Sequence, residues 1–286
     1  MSVTAEGRPN LAISTLGGQQ FWTDRAMRAG WRIQCHALSG HCRLLDPADI
    51  RRGWGDFVEV ERLLETVSPT SDARRRLVVL VHGFGGHAWT FSRLKKALKD
   101  DGHEVVHFTY ASTLARVPEH AGDLRSYLGN LENVDEVIFI AHSMGGLVVD
   151  HALAAETPAF DTAKVSGIVR LGTPVRGSAL ARQAVDIAGA ATPRWSPVAD
   201  VAAGLAISDA SPPTCSIAGS LKGGTGINPW IEGDDDGVVG VSEVSGDDGI
   251  GTLVVPASHF TLTGNAETIA AVRMFLKSGR CQPVGS

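Results

Sequence analysis

The segment best suited to chemistry is the hexapeptide AHSMGG at 141–146, which has Ser143 near its centre. It follows the apolar run VIFI and precedes LVVDHALAAE, so a buried strand is expected to meet a helix at the serine. A serine on such a sharp turn projects above the edge of a sheet, and only small residues fit two positions away on either side. Ala141 and Gly145 are both small. The pattern therefore predicts that Ser143 is a nucleophile.

The usual form of this pattern is G-x-S-x-G, and Ala141 departs from it by one methyl group. A short string of this kind also arises by chance. The prediction for Ser143 therefore depends on its place between a strand and a helix more than on the string itself.

Together with three other segments, these residues resemble the α/β-hydrolase superfamily, in particular the bacterial lipases and serine esterases. AHSMGG is similar to the serine turn of the small Bacillus lipases, which also carry alanine in the first position. The other segments are VLVHGFGG (79–86), LGTPVRGS (171–178) and DGVVGVS (236–242). The resemblance covers 76–278 and implies an α/β-hydrolase fold with a Ser-Asp-His triad that uses neither a cofactor nor a metal.

The nucleophile needs a base. A serine hydroxyl is weakly nucleophilic at neutral pH, so an imidazole must accept its proton and a carboxylate must orient the imidazole. In this fold the three residues occur in the order serine, acid, histidine. Among the ten histidines only His259 lies late in the chain, in a loop before a helix predicted at 266–277. We therefore expect His259 to be the general base.

The acid is expected from the contiguous triplet Asp234, Asp235 and Asp236. Asp236 directly precedes Gly237-Val238, which matches the D-G-x-V pattern of the lipases, and the resemblance assigns the role to that position. Asp235 is the alternative. Three adjacent carboxylates are also compatible with a calcium site, since hard oxygen ligands suit that cation, or with a solvated acidic loop.

Acyl transfer also needs donors for the negative charge that develops on the substrate oxygen, and two backbone N–H groups usually supply them. Met144, the residue after the nucleophile, is predicted to supply one. Phe84 is predicted to supply the second, because it follows His82-Gly83 in the glycine-rich HGFGG loop, whose backbone can approach a substrate closely. We expect His82 to shape this loop.

Strands with apolar residues on both faces alternate with helices from residue 76 onward. The predicted strands are 76–81, 104–110, 134–141, 165–171 and 214–218, and the predicted helices include 88–100, 118–132 and 266–277. This order is typical of an α/β protein whose mostly parallel sheet is covered by helices on both faces.

Residues 1–72 do not follow this alternation, and we interpret them as an N-terminal extension packed on a hydrolase domain formed by 73–286. Within the extension, two short strands are expected around Ser39-Gly40. An amphipathic helix is expected over 49–67.

An insertion is expected at 176–211, a stretch rich in alanine and valine that lies between two predicted strands. We interpret it as a helical cap or lid. Its apolar residues would then face the substrate, whereas in the alternative they pack on the core. These residues are Leu180, Val185, Ile187 and Leu205.

Composition limits the partners. The net charge of −5 and the lack of a basic cluster argue against nucleic acid. The first residues, MSVTAEGRPNLAIS, lack the pattern of a secretory leader, and the longest uncharged runs are too polar for an integral membrane segment.

The four cysteines show no C-x-x-C spacing, so we expect reduced thiols in a cytoplasmic protein, with a local Cys35–Cys42 bridge as the alternative.

These features favour a serine carboxylic-ester hydrolase, a lipase or an esterase, that forms an acyl-enzyme with a small-molecule ester or lipid. Thioester or amide cleavage would use the same triad. An aspartate nucleophile is disfavoured because the turn presents serine. The alternative to an enzyme is a non-catalytic module that keeps the hydrolase fold and binds a partner. Composition does not decide the length of the acyl chain.

Overall fold

The computed structural model describes residues 20–68, 74–154, 161–204, 212–221, 223–245 and 252–281. The strands are β1 (Trp22–Arg28), β2 (Trp31–His36), β3 (Cys42–Leu45), β4 (Arg51–Gly55), β5 (Arg75–Val81), β6 (Glu104–Phe108), β7 (Val134–His142), β8 (Val165–Leu171), β9 (Thr214–Gly219) and β10 (Leu253–Val255). The helices are α1 (Phe57–Val67), α2 (Ser92–Asp100), α3 (Val117–Gly129), α4 (Met144–Ala154), α5 (Ala179–Ala188), α6 (Val198–Ala203), α7 (Val241–Val244) and α8 (Ala266–Ser278). Within these ranges, no helix combines the length and the apolar character needed to cross a membrane.

Six parallel strands form the central sheet, in the order β10-β9-β8-β7-β5-β6. Alternate residues of β5 face opposite sides, with Leu77, Val79 and Val81 in one apolar cluster and Val78 and Leu80 in the other. The first cluster includes residues of α3 and α4, and the second includes residues of α2 and α8. Both faces are therefore buried, which explains why the strands are apolar throughout. The predicted parallel sheet with helices on both faces is confirmed.

The carboxyl ends of neighbouring parallel strands meet at one edge of this sheet. β5 ends at Val81, β7 at His142, β8 at Leu171 and β9 at Gly219. Ligands of open parallel sheets bind beyond the carboxyl ends of the strands. The segments that follow these four strands therefore form the candidate site.

A second, antiparallel sheet, in the order β1-β2-β3-β4, lies in the N-terminal region. Strands β2 and β3 are the two that the sequence predicts around Ser39-Gly40, whereas β1 and β4 are not predicted. Helix α1 packs against this sheet through a small apolar core that includes Ile33, Leu44, Val60 and Leu64. The extension therefore has a core of its own.

The predicted start of the helix over 49–67 is wrong. Helix α1 begins only at Phe57, and strand β4 occupies most of the residues before it. Asp56 separates the two elements. Its carboxylate accepts a hydrogen bond from the Glu59 N–H (2.8 Å), and the Glu59 carboxylate accepts one from the Asp56 N–H (2.9 Å). This capping box begins the helix at that point, and pairing with β3 holds the residues before it in a strand.

Strand β1 joins the extension to the hydrolase sheet. The Asp24 N–H donates to the Thr109 carbonyl and the Thr109 N–H donates to Asp24 Oδ2, both at 2.8 Å. Arg25 pairs with Asp123 at 2.6 Å, and Met27 belongs to the core cluster beneath α3. These contacts fit an extension packed on the core, and the division at residue 72 stays a prediction.

The prediction of reduced cysteines is wrong. Cys35 and Cys42 face each other on β2 and β3 and form a disulfide, which is the local bridge left open as the alternative. A second disulfide joins Cys215 on β9 to Cys281, beyond α8, so that no cysteine is free. The sequence could not show this pair, since 66 positions separate its members. Disulfides are typical of oxidising compartments, so the pairing does not support the predicted cytoplasmic location.

The predicted insertion at 176–211 contains α5 and α6, and Leu205 lies outside the described residues. The Asp200 carboxylate on α6 pairs with the Arg116 guanidinium (Nε to Oδ2, 2.7 Å), which attaches α6 to the start of α3. In contrast, α5 has no buried residue, and Ile187 is 87% exposed. The roles of cap and lid stay predictions.

Candidate active site

Ser143 lies on the sharp turn between β7 and α4, with a φ of +55°. Non-glycine residues seldom adopt this left-handed conformation, and the surrounding structure must hold it in place. The Ser143 N–H donates to the carbonyl oxygen of Leu171 at 2.9 Å, so the end of β8 anchors the turn. The serine side chain is half-buried. The turn therefore has the geometry that the sequence pattern predicts.

The small residues after the serine have a steric reason. A Cβ atom on Gly145 would lie 2.5 Å from the carbonyl oxygens of both Val81 and His82, and one on Gly146 would overlap the Thr173 side chain. The start of α4 therefore approaches the backbone that follows β5 as closely as glycine permits. Ala141, on β7, is fully buried, and its methyl group is accommodated there.

His259 and Asp236 form a buried pair beside this turn. His259 Nδ1 lies 2.7 Å from Asp236 Oδ2, and both side chains are almost completely buried. The other carboxylate oxygen, Oδ1, accepts hydrogen bonds from the Val238 N–H (3.0 Å) and the Val239 N–H (2.8 Å). The carboxylate is thus held from both sides and keeps the proton of neutral His259 on Nδ1, which leaves Nε2 able to accept a proton.

The other two aspartates of the triplet have different partners. Asp235 accepts hydrogen bonds from the N–H groups of 227–228 at Oδ2 (2.9 and 3.1 Å) and from the Gly237 N–H at Oδ1 (2.7 Å). Asp234 accepts one from the Ser220 hydroxyl (2.9 Å). The three carboxylates diverge, and the described part of the chain holds no cluster suited to a metal ion. The structure therefore brings Asp236, and not Asp235, to His259.

Gly172 lets the pair approach the serine turn. This residue has a φ of +59° and follows Leu171, the residue that anchors Ser143. A Cβ on Gly172 would lie 3.2 Å from His259 Nδ1 and 3.3 Å from Asp236 Oδ2. Among the described residues, no hydrogen bond joins the Ser143 hydroxyl to His259, whose partners are Asp236 and His142.

His142 is a site residue whose role sequence reasoning missed. Its Nε2 lies 3.0 Å from the carbonyl oxygen of His259, and the two ring centroids are 4.6 Å apart. Burial lowers the pKa of His142 to about 3, so its ring is neutral and donates the Nε2 proton to that carbonyl. His142 thus supports the backbone of His259. Its position next to Ser143 is the only signal in the sequence.

The HGFGG loop lies against the serine. A Cβ on Gly83 would lie 2.7 Å from Ser143 Cβ and 3.3 Å from Ser143 Oγ. The Gly83 carbonyl accepts a hydrogen bond from the Gly86 N–H (3.0 Å). Since the Gly83 carbonyl and the Phe84 N–H share a planar trans peptide, the N–H points the opposite way. Among the described residues, neither this N–H nor that of Met144 donates to a protein acceptor, so both can serve a ligand.

His82 holds the start of this loop, as the sequence predicts. Burial lowers the pKa of His82 to about 4, so the ring is neutral. Its Nδ1 lies 2.9 Å from the Gly83 carbonyl and donates to it, while Nε2 faces the Tyr110 N–H at 3.5 Å. The Tyr110 hydroxyl in turn donates to the His82 carbonyl (2.7 Å), and the two rings stack.

Two aromatic side chains next to the site residues are open to solvent. Phe84 is 53% exposed and Phe260, which follows His259, is 80% exposed. Singly exposed apolar side chains are common on protein surfaces, so these two are distinguished by their positions next to Gly83 and His259 and not by their exposure. Both offer apolar contact to a ligand beside the serine.

Residues 78–268 match the alpha/beta hydrolase family. Methylesterase 18 of Arabidopsis thaliana is 30% identical over 77 residues, which cover 24% of this chain and 29% of that protein. Putative methylesterase 14, chloroplastic, of the same plant is 31% identical over 84 residues, or 26% and 24% of the two chains. The matched segment thus spans less than a third of either relative.

The fold also has solved counterparts. The crystal structure of a gene product from Listeria innocua is similar with a TM-score of 0.51, over 71% of this chain and 94% of that one, at 18% sequence identity. At this identity the likeness concerns the fold alone. Because the family match extends over more than half of the 286 residues and includes the serine turn, the HGFGG loop and His259, this chain belongs to the alpha/beta hydrolase family.

Proposed function

We propose that the protein hydrolyses carboxylic esters, with Ser143 as nucleophile, His259 as general base and Asp236 as the acid that orients the base. The observation that carries the proposal is the buried His259–Asp236 pair, 2.7 Å between Nδ1 and Oδ2, beside a serine held at a φ of +55°. Backbone strain at a polar residue is a recurrent feature of catalytic turns. A carboxylate that fixes the imidazole tautomer is the second component of this chemistry.

In the first half-reaction Ser143 Oγ attacks the ester carbonyl carbon while His259 Nε2 accepts the hydroxyl proton. The carbonyl oxygen becomes an oxyanion, which the Phe84 and Met144 N–H groups stabilise. The bond to the alcohol then breaks, and His259 returns the proton to the departing oxygen. An acyl group stays on Ser143. Water repeats the sequence with His259 as base, which releases the acid and restores the serine.

The substrate class that we propose is an ester of a small alcohol. The printed names of the two plant relatives, both methylesterases, support this class. The exposed rings of Phe84 and Phe260 support an apolar acyl or aromatic group beside the serine. Long-chain lipid hydrolysis is the competing outcome, for which α5, with no buried residue, would act as the lid.

A matched series of p-nitrophenyl esters from short to long acyl chains, together with simple methyl esters, tests the substrate class. We expect methyl esters, whose alcohol is small, to be cleaved, whereas a kcat/KM that rises steadily with the length of the acyl chain would favour the competing hydrolysis of long-chain lipids. The Ser143→Ala variant should lose turnover on every substrate. The exposed Ser166, which lies near the start of β8 at the opposite end of the strand from Leu171 and is bonded to Glu136, provides the control variant Ser166→Ala, which should keep full activity.

Covalent labelling with a fluorophosphonate separates the proposed hydrolase from a non-catalytic module. An activated serine reacts with this probe, and an ordinary surface hydroxyl does not. We expect wild type and Ser166→Ala to be labelled and Ser143→Ala to be unlabelled. Equal labelling of Ser143→Ala would disprove the nucleophile. Absence of labelling in the wild type, together with no ester turnover, would favour the binding module.

A further inference from the structure

The side chain of Gln20 contacts the HGFGG loop from outside the segment that matches the hydrolase family. Its Nε2 donates to the Gly86 carbonyl at 2.7 Å. Its Oε1 accepts a hydrogen bond from the Ser112 hydroxyl at 2.8 Å, and Ser112 Oγ accepts one from the Gly85 N–H at 3.0 Å. The Gln20 amide therefore holds Gly86 directly and Gly85 only through Ser112.

The partners determine how this amide is oriented. The Gly86 carbonyl only accepts hydrogen bonds, so the nitrogen of Gln20 must face it and the oxygen must face Ser112. Ser112 is fully buried, and its hydroxyl both donates to Gln20 and accepts from Gly85. The network is partly buried, and a network in which each group has its partner is directional and resists rearrangement.

Within the HGFGG loop, Gly86 connects the network to the peptide of Phe84. The Gly86 N–H donates to the Gly83 carbonyl, whose peptide plane also contains the Phe84 N–H. Moving Gly86 would therefore rotate the plane that aims the Phe84 N–H. On the other side of the same residue, the Gly86 carbonyl accepts the hydrogen bond from Gln20 Nε2.

Strand β1, which begins two residues after Gln20, gives the side chain a firm base. The Ala111 N–H donates to Thr23 Oγ1 at 3.3 Å, and Asp24 exchanges two hydrogen bonds with Thr109. These contacts run alongside the segment that leads from β6 to Ser112. The N-terminal sheet thereby fixes both Gln20 and its partner relative to the loop.

We infer that Gln20 is a positioning residue for the oxyanion hole, and that the N-terminal sheet contributes to catalysis by holding it. The inference rests on the proposed role of the Phe84 N–H. Donors that are already aimed at the developing charge stabilise it without reorganisation. Removing one oxyanion donor costs about 10²- to 10³-fold in kcat, so misaiming one should cost less, on the order of 10-fold.

The test variant is Gln20→Met, which keeps the length of the side chain and removes both hydrogen bonds. We expect kcat to fall about 10-fold, with KM unchanged within about twofold, because the contact acts on the transition state and not on the bound substrate. The inhibition constant of a trifluoromethyl ketone, whose adduct places an oxyanion in the hole, should rise by about the same factor as kcat falls. Counting active sites by burst titration removes any effect of partial unfolding.

Two further variants locate the effect. Ser112→Ala should lower kcat to a similar extent, and combining it with Gln20→Met should add little, because both belong to one network. Arg25→Gln removes an ion pair that also docks β1 but does not touch the loop. It should leave kcat and the inhibition constant unchanged, because the hydrogen bonds of Thr23 and Asp24 still attach β1 beside the segment that leads to Ser112.

Hydrogen exchange of the loop amides provides a readout that does not depend on activity. Gln20→Met should exchange faster over 83–87, while Arg25→Gln should match the wild type there. Unchanged exchange, or unchanged kcat and inhibition constant in a protein with Ser143-dependent turnover, would overturn the positioning role. Faster exchange in a protein with no Ser143-dependent turnover would instead show that Gln20 does hold the HGFGG loop but that the proposed function fails.

Discussion

His259 and Asp236 are joined by two hydrogen bonds, one between their side chains (2.7 Å) and one from the His259 N–H to the Asp236 carbonyl (3.0 Å). The second bond fixes the backbone of the imidazole relative to that of the carboxylate. Rotation of either side chain is therefore restricted at both ends. His142, which donates to the His259 carbonyl, adds a third constraint.

Substituting Asp236 should abolish the orientation of the imidazole. Asp236→Asn keeps the size of the side chain but removes the charge, so we expect kcat to fall by on the order of 10⁴-fold with little change in melting temperature. Steady-state kinetics on the best p-nitrophenyl ester, with circular dichroism as the check of folding, measure both quantities.

Asp235→Asn is the matched control for that variant. Asp235 accepts three backbone hydrogen bonds within its own loop, through both carboxylate oxygens. The amide nitrogen of asparagine cannot accept a hydrogen bond, so the substitution should lower the free energy of unfolding by about 1–3 kcal/mol and leave kcat nearly unchanged. If instead Asp235→Asn were fully folded but inactive while Asp236→Asn kept its activity, the acid would be Asp235 and our assignment would be wrong.

Gly83 should tolerate no side chain. In Gly83→Ala the new Cβ would lie 2.7 Å from Ser143 Cβ, so the serine or the HGFGG loop must shift, and we expect kcat to fall at least 10-fold. The control is Gly122→Ala in α3, where the new Cβ meets only an arginine nitrogen at 3.7 Å. That variant should keep kcat and gain about 0.5–1 kcal/mol of stability. An active Gly83→Ala would show that the loop lies farther from the serine.

The two disulfides should differ in their contributions to stability. Cys215–Cys281 spans 66 positions and should contribute about 4 kcal/mol, while Cys35–Cys42 spans 7 and should contribute about 2 kcal/mol, since longer loops lose more entropy on closure. Urea unfolding of the paired Cys→Ala variants measures each value. Thiol titration of the denatured, unreduced protein should find no free thiol, and four titratable thiols would refute both bridges.

Acid should destabilise the protein through its buried histidines. Burial lowers the pKa of His142 to about 3 and those of His82 and His120 to about 4, whereas an unfolded histidine has a pKa near 6.5. Below pH 6.5 the unfolded chain therefore binds protons that the native protein does not, and the free energy of unfolding falls as the pH is lowered. Each group contributes roughly 1 kcal/mol per pH unit down to its native pKa.

His120→Gln isolates one of these groups away from the serine turn. We expect the free energy of unfolding of the variant to depend less steeply on pH than that of the wild type between pH 6 and pH 4.5, by roughly 1 kcal/mol per pH unit. The difference between the two proteins at pH 8 measures lost packing against Tyr110 and serves as the internal control. Parallel curves would mean that folding does not lower the pKa of His120.

Local patterns predict much of the central sheet. Apolar runs rich in valine, such as RLVVLV, favour a half-buried or buried strand, and each is followed by glycine or by a helical pattern, so β5 and the turn at Ser143 could be located from the sequence. His259 could be located because it alone lies late enough in the chain. The N-terminal region was harder to predict, since β4 carries two glycines and gains its conformation from pairing with β3.

The sequence by itself determined the class of fold, the strained serine turn and the glycine-rich loop before it, because these depend on residues adjacent in the chain. Only the tertiary structure decided the pairings through space: Asp236 with His259, Cys215 with Cys281, and Gln20 with Gly86. In the aspartate triplet three adjacent residues carry the same side chain, so the spacing alone could not decide which carboxylate faces the histidine. The physical reason is that hydrogen bonds and disulfides depend on distances of a few ångströms, which are set by how distant segments pack.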